Sequence, residues 1–183
     1  MSFAVGISSV AILVTLLNLV LMAGVIKRLR EHTELISTMR QGENVRPSIG
    51  VGEEVGDFAA MTLEGREISR GSIDGETLVG FFSPGCAPCE EKLPRFVQYC
   101  RSLPEGSRGA VAVVVSSDMA TAEKFVTELS GAATVVLEPT NGPLSKAFRV
   151  LAYPTLVKVG PEAGRLIVTE EDVDLSVVSV ART

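Results

Sequence analysis

Residues 77–82, TLVGFF, form a short continuous apolar run that leads through Ser83-Pro84-Gly85 into Cys86-Ala87-Pro88-Cys89 and then into helix-forming residues. A run of this kind, without polar alternation, belongs in the middle of a sheet that is covered on both faces. After the cysteines, Leu93, Phe96, Val97, Cys100 and Leu103 recur at i, i+3, i+4, i+7 and i+10, which is one face of a helix. Pro94 is expected to kink that helix near its start, because it lacks the N–H and crowds the preceding turn. Strand, cysteine pair and helix start therefore come as one unit.

The same reading extends along the chain. VGDFAAMTLEGREIS (55–69) predicts an N-terminal hairpin turning at Glu64-Gly65. GAVAVVVSS (109–117) predicts a second buried strand, and Asp118 can cap a helix with Ala122, Phe125, Val126 and Leu129 inward, closed by Gly131. ATVVLEP (133–139) is a third core strand and GPLSKAFRV (142–150) a short helix. TLVKVG and RLIVTEE then read as a hairpin near Pro161 and Gly164. Alternating strands and helices imply parallel pairs, while the ends add antiparallel strands. The fold class is a three-layer α/β sandwich with a mixed central sheet and an N-terminal β-hairpin.

The first 50 residues differ in character. From Phe3 to Ile26 there is no charged residue, and 24 helical positions span roughly 36 Å, enough for a hydrocarbon core of ~30 Å. The run is longer than a signal-peptide core, has no basic start, and is followed directly by Lys27, Arg28 and Arg30. The expectation is a retained transmembrane anchor over 1–26, a polar juxtamembrane stalk over 27–49, and the α/β domain over 50–183. Residues 1–50 carry a formal +2 and residues 51–183 a formal −7, which makes up the chain's net −5. Such an acidic domain lacks the clustered Lys and Arg that phosphate contacts need, so no nucleic-acid partner is expected.

The inventory of side chains narrows what the cysteines can do. A closed zinc site needs four ligands, usually Cys or His, and beyond the pair the chain holds only Cys100 and His32. Cys100 lies 11 residues past Cys89, about 16 Å along a straight helix, too far for a shared metal or for a disulfide. It reads as a small buried apolar residue. Glu90 follows the second cysteine where covalent haem attachment needs a histidine, and the single histidine in the stalk cannot serve as the base of a cysteine hydrolase. No metal and no cofactor is expected.

A redox dithiol fits what remains. Cys86 would sit at the mouth of the helix, where unpaired backbone N–H groups favour an anionic sulfur, and Cys89 one turn on could close a disulfide with it. Cys86 is then the nucleophile and Cys89 the resolving thiol. A purely structural disulfide is the competing reading, although a four-residue loop constrains the unfolded chain little. Downstream, VLAYPTLVKV (150–159) sets Pro154 between a turn and an apolar strand. A cis peptide there would offer Tyr153, Pro154 and Thr155 as an edge for an incoming polypeptide.

These motifs together resemble membrane-anchored thioredoxin-like proteins of the TlpA/ResA type, from about Val51 to Val168. The anchor and the Ser-Pro-x-Cys-x-x-Cys wording are also similar to the thiol-disulfide protein of methylamine-utilisation clusters (MauD). The resemblance implies a protein-disulfide reductase acting on protein thiols and disulfides outside the cytoplasm, as in cytochrome c maturation, with a membrane thiol carrier as electron donor. The flanking charges point the other way, since Lys27, Arg28 and Arg30 follow the span and no basic side chain precedes it. The expected location is the cell membrane, single-pass, with an extracytoplasmic domain.

Two departures from the resemblance stand out. Gly80 occupies the position of thioredoxin's buried Asp, and Gly85 that of the aromatic residue before the first cysteine. Glu90 or Glu91 could supply the missing acid-base group, or simply form a solvated helix face. The alternatives are a peroxiredoxin-like thiol peroxidase, for which Ser83 lies three residues before Cys86 but Val79 replaces the expected proline, and a redox-inactive peptide-binding module.

Overall fold

The computed structural model describes Met22, residues 46–104 and residues 106–176. The expected anchor and nearly all of the stalk lie outside the described residues. No helix among the described residues is long and apolar enough to cross a membrane. Chain compaction separates residues 1–45 from a unit that begins at Arg46. Residues 46–49, which the sequence assigns to the stalk, belong to this unit: Ile49 is buried and its N–H donates to the Phe148 carbonyl oxygen at 3.0 Å.

The unit opens with the hairpin β1 (Ala59–Met61) and β2 (Glu67–Ser69), paired antiparallel. The main sheet comprises β3 (Thr77–Phe82), β4 (Ala110–Val115), β5 (Thr134–Glu138), β6 (Thr155–Glu162) and β7 (Arg165–Glu171) in the order β5-β4-β3-β6-β7. β3, β4 and β5 run parallel, while β6 and β7 are antiparallel to their neighbours. The mixed sheet expected from the element order is present, with β3 at its centre. β6 and β7 join through Ala163 and Gly164, both at positive φ (50° and 79°), the conformation a two-residue hairpin turn requires.

Every residue of β3 is buried, which is why its sequence shows no polar alternation. The strand period of two sorts its side chains onto two cores. Val79 and Phe81 face Phe58, Ile68, Leu144 and Phe148, beneath the hairpin and the short helix α3 (Pro143–Ala147). Leu78 and Phe82 face α1 (Ala87–Ser102) and α2 (Met119–Leu129), against Leu93, Phe96, Cys100, Phe125 and Leu129. Phe82 and Phe96 meet edge to face at 5.0 Å, and Phe81 meets Phe148 at 5.3 Å. Burying each such ring contributes about 1.5–3 kcal/mol. α1 continues through Pro94, which faces solvent, so the proline does not end the helix. Asp118 caps α2 by accepting from the N–H groups of Ala120 and Thr121, each at 3.2 Å.

The chain ahead of β3 covers both edges of the sheet. The N–H groups of Gly52 and Val55 donate to Val168 and Leu166 of β7, at 2.8 and 2.9 Å. Beyond, Leu63 donates to Val135 of β5 at 2.9 Å, and Thr62 bridges Val136. Both outer strands thus have their exposed backbone groups partly paired, which blunts edge-to-edge association. Arg70 holds this segment down through Glu54 at 2.8 Å and Asp57 at 3.0 Å.

Candidate active site

β3 ends at Phe82, and the chain turns through Ser83-Pro84-Gly85, with Gly85 at φ 76°, a conformation glycine adopts without steric cost. That turn delivers Cys86 as the N-cap of α1, in extended conformation, with its carbonyl accepting from Cys89 N at 2.9 Å and Glu90 N at 3.1 Å. Pro88 falls in the first turn, where a missing N–H costs no helical bond. The Cys86 side chain is partly exposed; Cys89, one turn inside, is fully buried.

The two Sγ atoms stand 2.7 Å apart, and both cysteines are free. Closing them to the ~2.05 Å of a disulfide needs a displacement below an ångström. Burial pushes the Cys89 thiol up to about 12; the hydrogen bond with Cys86 adds to the rise, and a backbone hydrogen bond from Ser83 opposes it. The inner sulfur is therefore held as a neutral thiol.

The second part of the site comes from the far end of the chain. Tyr153-Pro154 is a cis peptide bond, as expected when Pro154 is taken together with the dithiol motif, although its position alone is equally that of an ordinary trans turn proline. The Tyr153 carbonyl oxygen lies 3.6 Å from Cys86 Sγ. Thr155 is buried and its hydroxyl donates to the Ala152 carbonyl at 2.7 Å, closing the loop beneath the proline. The structure thus brings Cys86, Cys89 and Tyr153 into one cluster, with Pro154 and Thr155 leading into β6. Leu151, which the sequence reading did not single out, flanks this loop with 68% of its surface exposed. Its exposure follows from lying between α3 and β6, outside any periodic pattern.

Cys100 lies apart from the pair on α1, buried, with its thiol pushed up to about 12 by desolvation. Gly80 faces the same core as Cys89, and a Cβ there would stand 2.6 Å from Phe96 Cε2 and 2.9 Å from Phe82 Cε2. The space that a buried carboxylate would need is filled by an aromatic ring. Glu90 and Glu91 are exposed, and Glu90 pairs with Lys124 at 3.4 Å, which favours the solvated-face reading of both. Ser83 Oγ donates to the Val115 carbonyl at 3.4 Å. The one buried carboxylate among the described residues, Glu138, accepts from Leu144 N, Ser145 N and Ser145 Oγ at 2.9, 2.8 and 2.6 Å, and caps α3.

A parallel sheet core, a dithiol at the first helix start and a cis-proline loop against it define a thioredoxin-like α/β domain. The chain belongs to the AhpC/TSA family, whose model matches residues 51–172. It is 29% identical over 101 residues to sporulation thiol-disulfide oxidoreductase A of Bacillus subtilis (strain 168), covering 54% of this chain and 61% of that protein. Among solved structures it resembles the thioredoxin domain of a thiol-disulfide oxidoreductase from Bacteroides vulgatus, with a TM-score of 0.54 at 18% identity over 69% of this chain and 90% of that one. A thiol:disulfide interchange protein from Bacteroides sp. gives 0.55 at 16% identity over 69% and 83%. The exposed lipoprotein thioredoxin of Streptococcus pneumoniae gives 0.51 at 18% over 66% and 93%. At these identities the likeness to the solved structures is one of fold.

Proposed function

We propose that the domain is a thiol-disulfide oxidoreductase working through Cys86 and Cys89, in the reducing direction that the TlpA/ResA resemblance implies. The observation that carries this reading is the pair of free sulfurs 2.7 Å apart, one partly exposed and one buried, beside the Tyr153 carbonyl. The Cys86 thiolate attacks a substrate disulfide, forms a mixed disulfide and expels the first substrate thiolate. The Cys89 sulfur then attacks Cys86 Sγ, its proton passing to the departing sulfur, so that the second half of the substrate leaves as a thiol. Two electrons have moved to the substrate, and the domain is left as the Cys86–Cys89 disulfide, to be reduced by a thiol donor. Tyr153, Pro154 and Thr155 supply the edge along which the substrate chain lies. The name of the Bacillus subtilis relative supports the same chemistry.

The domain is tethered to the membrane by residues 1–26, and the stalk holds it on the extracytoplasmic face, where a membrane thiol carrier supplies its electrons. Support comes from the uncharged run Phe3–Ile26 and from the TlpA/MauD wording of the motif. A C-terminal alkaline phosphatase fusion, active only outside the cytoplasm, tests the placement. Activity of a cytoplasmic reporter at the same position reverses it.

Insulin reduction and peroxide consumption, measured side by side on the full-length protein, test the chemistry. Turnover of insulin with negligible peroxide consumption is expected. The reverse pattern would establish the peroxidase reading. Inactivity in both assays would leave a peptide-binding module.

A further inference from the structure

The loop that brings Tyr153 to Cys86 is held from behind by the first residues of the compact unit. The Leu151 N–H donates to the Pro47 carbonyl at 2.8 Å, and the Ile49 N–H donates to the Phe148 carbonyl at 3.0 Å. Residues 47–49 therefore run antiparallel to residues 148–151. The Gly56 N–H extends the attachment to the Ala147 carbonyl at 3.1 Å. Ile49 is buried in one core with Phe148 and Val150, and Tyr153 packs against that core. Glu53 adds an ion pair with Arg149 at 2.9 Å, at a residue that takes a positive φ of 49°.

The loop has few other holds. Of the N–H groups of Leu151, Ala152 and Tyr153, that of Leu151 is the one with a backbone acceptor among the described residues. The Leu151 side chain stands in solvent, so packing does not fix this residue. Downstream, the Thr155 hydroxyl holds the Ala152 carbonyl at 2.7 Å. Two residues past the bond to Pro47, the Tyr153 carbonyl meets Cys86 Sγ at 3.6 Å. A segment with few buried apolar contacts opens at low free-energy cost, and a backbone bond at its head restricts that opening.

We propose that residues 47–49 are a positioning strap for the substrate edge, with Ile49 as its anchor. They hold residues 151–155 in the conformation that an incoming polypeptide meets beside Cys86. The inference rests on the oxidoreductase reading above and adds residues that act through the loop, not on the sulfur. Coupling between two sites is reciprocal, so a polypeptide docked on the edge must in turn order the strap.

Full-length Cys89→Ser protein supplies the first test. Its Cys86 thiolate displaces thionitrobenzoate from a short peptide with a single activated cysteine, which leaves the peptide attached as a mixed disulfide. Methyl methanethiosulfonate caps the same sulfur with a methylthio group and no peptide. Hydrogen exchange at the Ile49 and Leu151 amides should be slower in the peptide adduct than in the methylthio adduct. Equal exchange at both amides overturns the strap and leaves the dithiol chemistry standing. A Cys86 that takes up neither reagent overturns the oxidoreductase reading, and the strap with it.

Variants of the full-length protein supply the second test. Ile49→Ala should raise KM for insulin by roughly threefold or more, the scale on which residues outside a binding site modulate it. Its effect on kcat/KM for hydroxyethyl disulfide, which needs no docking edge, should be far smaller. Ile49→Val keeps the packing and should restore the insulin KM. Ile68→Ala empties part of the same core from β2 and should leave the insulin KM unchanged. An equal rise with Ile68→Ala would reduce Ile49 to a general contributor to stability and overturn its role as anchor. The exchange comparison needs no Ile49 variant, so it decides even where Ile49→Ala fails to fold.

Discussion

Cys86 Sγ lies 3.6 Å from the carbonyl oxygen of Tyr153, across 67 residues of sequence. The contact joins the two antiparallel neighbours at the sheet centre. β3 runs out toward Cys86 and β6 begins at Thr155, and their register sets Phe81 opposite Thr155. Both loops must therefore emerge at the same end of the sheet. The strand order, not any local motif, makes one site of two distant segments.

In the proposed dithiol chemistry, the unequal burial of the two sulfurs would give them unequal tasks. With Cys86 partly exposed and Cys89 fully buried, an incoming disulfide reaches Cys86 first. A Cys89→Ser variant should accumulate mixed disulfides with its partners, because nothing remains to resolve them, whereas Cys86→Ser should trap few or none. Cys100→Ser should trap no more than the parent protein. Non-reducing gels followed by mass spectrometry of shifted bands read the pattern and identify the partners. Equal trapping by the Cys86 and Cys89 variants would refute the assignment.

Most of this architecture is legible in the sequence because it is local or periodic. TLVGFF is a fully buried strand, Asp118 is a cap, and Pro154 sits where the cis bond is found. What escapes sequence reading depends on which strands become neighbours. Nothing in GVGEEVG shows that residues 52–55 pair along β7, and nothing in Asp172 shows that it meets Lys92 of α1. Glycine at position 80 looks like the loss of an acid. Only packing reveals that Phe96 has taken the space.

Both buried thiols make the reduced protein sensitive to alkali. Burial raises Cys89 and Cys100 from 9.0 to about 12. In the unfolded chain the thiols ionise near their ordinary value, so between about pH 9 and pH 12 the unfolded state holds fewer protons than the folded one. Stability present below pH 9 is accordingly lost as the pH rises through that window. Urea midpoints of the reduced protein should fall from pH 8.5 to pH 10.5, and Cys100→Ala should flatten that fall. A midpoint independent of pH over this range would show that neither thiol is held neutral by the fold.

Gly80 tests how tightly the core beneath Cys89 is filled. A Cβ there would meet Phe96 Cε2 at 2.6 Å, so Gly80→Ala should cost about 1–3 kcal/mol through overpacking. Gly80→Asp should cost more, because a carboxylate would also be buried without a partner. Shrinking the obstructing ring should relieve part of this. Gly80→Asp combined with Phe96→Ala should lose less than the sum of the single changes in urea denaturation. Strict additivity would mean that the ring is not what excludes the acid.

Glu138 links the edge of the sheet to the cis-proline loop. Its carboxylate accepts three hydrogen bonds from Leu144 and Ser145, so it fixes the start of α3, and α3 leads through Phe148 to Tyr153. The fit is close: a Cβ on Gly142 would stand 2.5 Å from Glu138 Oε2. Removing the carboxylate leaves buried donors unpaired, at about 1–3 kcal/mol for each group. Glu138→Ala should therefore destabilise the domain by roughly 2 kcal/mol or more, and Glu138→Gln by less, since its amide oxygen still accepts. Gly142→Ala should cause the same lesion from the other side, by pushing the carboxylate out of reach. Because α3 carries the loop that meets Cys86, all three variants should also reduce insulin more slowly under conditions where they remain folded. Urea denaturation and insulin turnover on the same samples measure both effects. A Glu138→Ala protein with unchanged stability would show that α3 is held by its apolar contacts with Phe58 and Phe81 alone. A destabilised one with unchanged turnover would show that the loop keeps its place beside Cys86 without the cap.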